Sequence, residues 1–183
     1  MRQIQNKSFG RKLFNRLVAL VLPVLPGCFT GGGVEPIVGF NARAIKDPMG
    51  MKYDPAVSIG VRGRAKTKSN VEVEAEASTF TTSGEAGIVN HDITATELSA
   101  NVLYPVLSNG KGDIYVGAGV TTTNQTVTET FDGFSGSTSG SQSETEATVF
   151  AGGRYNAGKG AVDVRVSPRL RGLLASIGYE FRF

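Results

Sequence analysis

Apolar or small residues recur at alternate positions in two runs between Val57 and Thr79. The first is Val57, Ile59, Val61, Gly63 and Ala65; the second is Val71, Val73, Ala75, Ala77 and Thr79. Between them stand Ser58, Arg62, Arg64 and Lys66, then Glu72, Glu74, Glu76 and Ser78. A period of two is that of a β-strand, whose successive side chains point to opposite faces. A hairpin folded about Ser69 sets Arg62 opposite Glu76, Arg64 opposite Glu74 and Lys66 opposite Glu72, all in one register. Opposite charges directly across an antiparallel pair favour that register. A slip by one residue would turn every side chain to the wrong face. The reading is a hairpin with a ladder of ion pairs on one side and Val, Ile, Ala and Gly on the other.

The same alternation runs through the rest of the chain. A first strand is predicted over about Val34–Ile45, with Val38, Phe40, Ala42 and Ala44 on one face and Gly39, Asn41 and Arg43 on the other. After the charged hairpin, strands are predicted near Asp92–Leu107, Asp113–Thr128 and Glu144–Tyr155. Val162, Val164 and Val166 alternate with Asp163 and Arg165, and a last strand ends the chain. Short turns follow the second, fourth and sixth strands. Longer loops are expected at residues 46–54, 83–91 and 131–143, the last read as mobile from its Gly and Ser content. Eight neighbouring strands suggest an all-β, antiparallel up-and-down barrel, because closure removes both sheet edges.

Alternation alone leaves open which face is outside. Several positions on the polar face are glycine (Gly60, Gly117, Gly119, Gly152 and Gly178), which suits a narrow lumen shared with long charged side chains. The apolar face is mostly Val and Ala, with few large groups to fill a water-soluble core. Aromatics are 8% of the 183 residues, with no Trp, and Gly numbers 24. This composition argues against a large helical core. Both observations favour apolar outside and charged inside, the arrangement of a transmembrane barrel.

The formal charge of +3 resides in the first 27 residues, where Arg2, Lys7, Arg11, Lys12 and Arg16 meet no acid. The remainder is slightly acidic, so no nucleic-acid partner is implied. That basic start, the apolar run Leu17–Leu25 and the small residues beyond have the three parts of a secretory signal, expected to occupy residues 1–27. The run is shorter than the ~20 residues a membrane helix needs. Cys28 is the sole cysteine, which excludes an internal disulfide. Leu25-Pro26-Gly27-Cys28 resembles a bacterial lipobox, with Pro26 departing from it; the resemblance implies lipidation of Cys28, and ordinary cleavage nearby is the alternative. Residues 28–33 then read as a Gly-rich tether and 34–183 as the barrel.

The chain closes on Ala175-Ser176-Ile177-Gly178-Tyr179-Glu180-Phe181-Arg182-Phe183, with Ile177, Tyr179, Phe181 and Phe183 sharing one face. This stretch resembles the terminal strand of bacterial outer-membrane β-barrels, and residues 34–183 are similar to the small eight-stranded OmpA/OmpX-type class. The resemblance implies the bacterial outer membrane as the location, with its lipids and lipopolysaccharide as neighbours. It also implies the barrel-assembly machinery as a partner reading Tyr179, Phe181 and Phe183. Both termini and the short turns would lie on the periplasmic side, with the longer loops outside.

A lumen of eight strands is just wide enough to be packed by its own side chains. Arg43, Arg62, Arg64, Lys66, Glu72, Glu74, Glu76, Glu97, Asp163, Arg165, Glu180 and Arg182 are the expected filling, a plug rather than an ion path. His91 is the sole histidine and cannot form a multi-histidine metal site. The His-x-Ser arrangement of lipid A deacylases is missing around it. The favoured reading is a non-enzymatic structural or surface-interaction barrel with no cofactor and no metal. Its loops would meet a ligand that the sequence does not name. A small channel, a lipid A-modifying enzyme and a secreted lipocalin-like binding barrel are the alternatives.

Overall fold

A computed structural model describes residues 29–42, 52–86, 89–131, 136–169 and 172–182. The leader, Cys28, Arg43 and Phe183 lie outside the described residues. These form eight long strands: β1 (Phe29–Ala42), β2 (Ala56–Thr67), β3 (Glu72–Ala86), β4 (Val89–Asn109), β5 (Gly112–Phe131), β6 (Ser137–Ala157), β7 (Gly160–Arg169) and β8 (Gly172–Arg182). A two-residue strand, Lys52–Tyr53, adds to the far end of β3.

Every long strand pairs antiparallel with its neighbours in sequence. Val38 of β1 faces Ile59 of β2 on one side and Ile177 of β8 on the other, which closes the barrel. The fold is an all-antiparallel, up-and-down, eight-stranded barrel.

The two faces are sorted by chemistry. Val38, Ile59, Val102, Val149, Val164 and Ile177 all point outward and are about half exposed. Arg62, Glu35, Thr121 and Asp163 are among the largest fully buried side chains. A water-soluble barrel would show the reverse, so this is a transmembrane architecture whose outer surface is solvated by lipid. The lipocalin-like alternative is excluded by that polarity.

Several boundaries differ from the sequence reading. Residues 29–33, expected as a tether, are already β1, paired with β2 from Phe29↔Thr67 onward. The stretch 83–91 is largely strand: β3 runs to Ala86 and β4 begins at Val89. Residues 137–143, expected as mobile loop, are the start of β6. The asymmetry between the two ends therefore lies in strand length. One end has tight turns, with Gly158 (φ 62°) opening the β6–β7 turn and Asn70 (φ 67°) in the β2–β3 turn. At the other end β3, β4, β5 and β6 run on as a ribbon. The physical reason is that the far parts of β5 and β6 are largely open to water and need no apolar alternation, so polarity alone does not mark a loop. Thr is β-branched and favours the extended chain.

Candidate functional site: a charged lumen and a protruding sheet

The lumen near the tight-turn end is filled by a network of ion pairs. Cross-strand register sets Arg62, Arg64 and Lys66 of β2 opposite Glu76, Glu74 and Glu72 of β3. Arg62 Nε donates to Glu76 at 2.9 Å and Arg64 Nε to Glu74 at 2.7 Å. The third register pair makes no comparable contact. Lys66 is exposed, and Glu72 instead takes a bidentate grip from Arg154 of β6, at 3.0 and 2.7 Å. Lysine beside open water keeps its hydration, whereas the planar Arg fork matches a carboxylate with two parallel bonds.

From the wall the network crosses the barrel. Arg62 Nη1 lies 3.2 Å from both Glu35 of β1 and Asp163 of β7. Arg64 Nη2 reaches the same two carboxylates at 3.3 and 3.0 Å. Asp163 is fully buried and also accepts the Tyr115 hydroxyl, 2.8 Å from each of its oxygens. Arg154 Nε approaches Glu180 of β8 at 3.4 Å. Arg165 lies over the Phe150 ring at 4.0 Å, a cation–π contact between buried side chains. Unpaired charges could not be held here, so the pairing is what makes the burial tolerable.

Of the expected lumen residues, Arg62, Arg64, Glu72, Glu74, Glu76, Asp163, Arg165 and Glu180 meet in this network. Glu97 is buried farther along the lumen, and Arg182 joins the network at the mouth, donating to Glu180 at 3.3 Å and to Asn156 at 2.7 Å. Glu35, Tyr115 and Arg154 also belong to the network and were absent from the expected filling. Their signal was parity: each sits between outward-facing neighbours, as Glu35 does between Val34 and Pro36.

Next to Arg62, Glu76 and Arg165 the lumen is lined by Ser99, Asn101, Thr121, Thr148, Ser167 and Ser176, around a void of about 10 Å³. That is room for about one water. Farther on, Ala56, Phe80 and Ala95 pack together. Glycines make room for the large groups: a Cβ at Gly117 would lie 2.2 Å from the Phe150 ring, and one at Gly152 2.4 Å from the Tyr115 hydroxyl. His91 is buried at the far end, 3.8 Å from Glu129.

The strands β4, β5 and β6 hold 21, 20 and 21 residues. A tilted strand crosses a membrane in about 9–11, so roughly ten residues of each stand beyond the apolar band. β6 pairs with β7 only between Ala157 and Ala151. From Ser137 to Thr148 its other edge carries no partner strand among the described residues. Thr79–Ala86, Val89–Glu97, Thr122–Phe131 and Ser137–Thr148 contain no Lys or Arg.

A scan against protein-family models finds no match to this chain, and a search of curated proteins finds none. Among solved structures it is similar to Ail, the attachment invasion locus protein of Yersinia pestis. The TM-score is 0.56 at 14% identity, covering 84% of this chain and 98% of Ail. Ail in complex with the heparin analogue sucrose octasulfate matches at the same TM-score of 0.56 and 14% identity, over 84% of this chain and 99% of that one. The N-terminal β-barrel domain of Pseudomonas aeruginosa OprF matches at TM-score 0.48 and 20% identity, over 84% of this chain and all of that domain. What is shared is the fold, that of the small eight-stranded outer-membrane barrels.

Proposed function

We propose that the chain is an integral barrel of the bacterial outer membrane, closed to ions, that acts through the sheet it holds beyond the bilayer. The observation that carries this is the contrast along one barrel. The lumen is occupied by arginine–carboxylate pairs, while β3 to β6 continue past the apolar band as a polar sheet with an open edge on β6. The tight-turn end, where β1 begins and β8 ends, faces the periplasm, and the ribbon faces outward.

A closed lumen leaves the outer sheet as the working part. The open edge from Ser137 to Ser143 has no charged side chain, no proline and exposed backbone hydrogen-bonding groups. Such an edge suits an extended segment of a partner protein added as a further strand. The sulfated saccharide bound to Ail is a poor guide to the partner here. The projecting segments hold Glu85, Asp92, Glu97, Glu129, Glu144 and Glu146 and no Lys or Arg, with Lys52 on the short strand beside Glu85, so the acids outnumber the bases there and a polyanion is repelled. A hydrolase reading finds little support at His91, flanked on its face by Gly84, Val89, Ile93 and Glu129 rather than by a serine.

Refolded protein in a planar bilayer tests the closed lumen: silence is expected, and steady conductance would overturn the plug. Heat-modifiable gel mobility in the outer-membrane fraction tests the location. An epitope inserted between Phe131 and Gly136 should be labelled on intact cells; labelling only after permeabilisation would reverse the assigned orientation.

A further inference from the structure

The projecting sheet has a second face, and the two rows nearest the apolar band are alike in chemistry. On the outside of the barrel the apolar surface ends at Ala77, Leu98, Val120 and Ala147; the next rows carry hydroxyls or an amide, and the carboxylate of Asp92 enters only in the row after them. The register sets them in rows across four strands. One row is Thr79, Thr96, Asn124 and Ser143; the next is Thr81, Thr94, Thr126 and Ser141. All eight are exposed. Neighbours lie about 4.8 Å apart across strands and about 6.8 Å along them. Thr126 and Ser141 approach each other at 3.4 Å, while Thr81, Thr94, Thr96, Asn124 and Ser143 spend their side-chain hydrogen bonds on no described residue.

This face continues the lipid-contacting surface without a break. Whatever meets it first is the layer just beyond the acyl chains. A phosphate-binding surface would need Lys or Arg, and these rows supply none. An apolar partner would need large side chains, also missing. A lattice of small donors and acceptors matches a hydroxyl-rich, uncharged ligand.

We propose that these rows are a docking face for the sugar residues of the surrounding outer-leaflet glycolipid. The inference rests on the membrane reading above. Each Thr or Asn offers one or two hydrogen bonds to a saccharide hydroxyl, directly or through water. The many weak contacts act together, because the bilayer holds barrel and glycolipid side by side.

The test uses the full mature chain refolded into phospholipid vesicles doped with glycolipid bearing its core sugars, with glycolipid stripped of them, or with dephosphorylated sugar-bearing glycolipid. The measurement is the unfolding midpoint by heat-modifiable gel mobility. The sugar-bearing and dephosphorylated forms should raise the midpoint relative to the stripped form. Thr94→Val with Thr126→Val, which keeps β-branched shape, should abolish that rise while leaving the midpoint in pure phospholipid unchanged. Equal midpoints with stripped and sugar-bearing glycolipid overturn the proposal, as does a rise lost on dephosphorylation or retained in the double variant. Failure of the wild-type chain to insert into any vesicle would instead sink the membrane reading itself.

Discussion

Arg165 of β7 and Glu74 of β3 meet across the lumen as a bidentate pair, at 2.7 and 2.6 Å, from strands 91 residues apart in sequence. Glu74 also accepts from Arg64 Nε at 2.7 Å and Asn101 Nδ2 at 2.9 Å. Both residues are buried, so removing Arg165 takes two of the bonds from Glu74 and leaves it to Arg64 and Asn101. Arg165→Met should destabilise the barrel by less than the roughly 3–5 kcal/mol of a fully orphaned buried charge, because Arg64 and Asn101 still hold Glu74. Arg165→Met combined with Glu74→Leu should cost less than the sum of the two single changes, because apolar replacement of a whole pair is far better tolerated. Urea unfolding in vesicles, followed by gel mobility, gives both numbers. Strict additivity would mean the two charges do not act as a unit.

Lys66 and Arg154 make the complementary comparison. Both are basic residues at the same mouth, yet Glu72 bonds to the second. Lys66→Ala should shift stability by no more than about 0.5 kcal/mol, as for most exposed positions. Arg154→Met should cost several times as much and should also loosen Glu180, 3.4 Å from its Nε. Similar midpoints for the two variants in the same urea series would contradict this division of labour.

Gly117 and Phe150 are direct cross-strand partners, and the ring occupies the space over the glycine. A Val at 117 would drive its Cβ into the ring, and Phe150 is also held by Arg165, 4.0 Å from its centroid. Gly117→Val should therefore destabilise by about 1–3 kcal/mol, typical of overpacking a filled site. Adding Phe150→Leu to Gly117→Ala should recover part of the loss suffered by Gly117→Ala alone. A lack of rescue in the double variant would show that the glycine serves the backbone rather than the ring.

Strand existence and facing were legible in the sequence because a half-apolar strand in a bilayer must alternate. Val57, Ile59 and Val61 are outside and Arg62 and Arg64 inside for that reason. The Arg62–Glu76 and Arg64–Glu74 register was readable because the index sums coincide. The network across the lumen was not. Arg154 reaching Glu72 and Arg165 reaching Glu74 depend on barrel closure and strand stagger, which no pairwise alternation encodes. The far ends of β5 and β6 were hidden for a different reason. Thr122 to Thr130 and Ser137 to Ser143 are largely open to water, so the apolar half of the alternation was gone and only β-propensity was left to mark the strand.

That extension gives a separable prediction. The pairs from Thr126↔Ser141 to Thr130↔Ser137 lie beyond both the lumen network and the apolar band. Replacing residues 126–141 by a two-residue Asn-Gly turn would join Gln125 to Gln142, which already face each other, with their side chains 3.3 Å apart. Such a turn matches the right-handed twist of a hairpin. The shortened chain should fold and insert with its urea midpoint nearly unchanged, since the lumen network is untouched and only the His91–Glu129 contact at the far end is lost. It should lose the free β6 edge from Ser137 to Ser141, and with it binding to any partner that adds a strand there. Binding can be scored as cell-surface capture of a fluorescent extended peptide selected on the full-length protein. Undiminished capture by the shortened barrel would move the interaction off this edge, and a barrel that fails to assemble would mean the ribbon nucleates folding as well as presenting a surface.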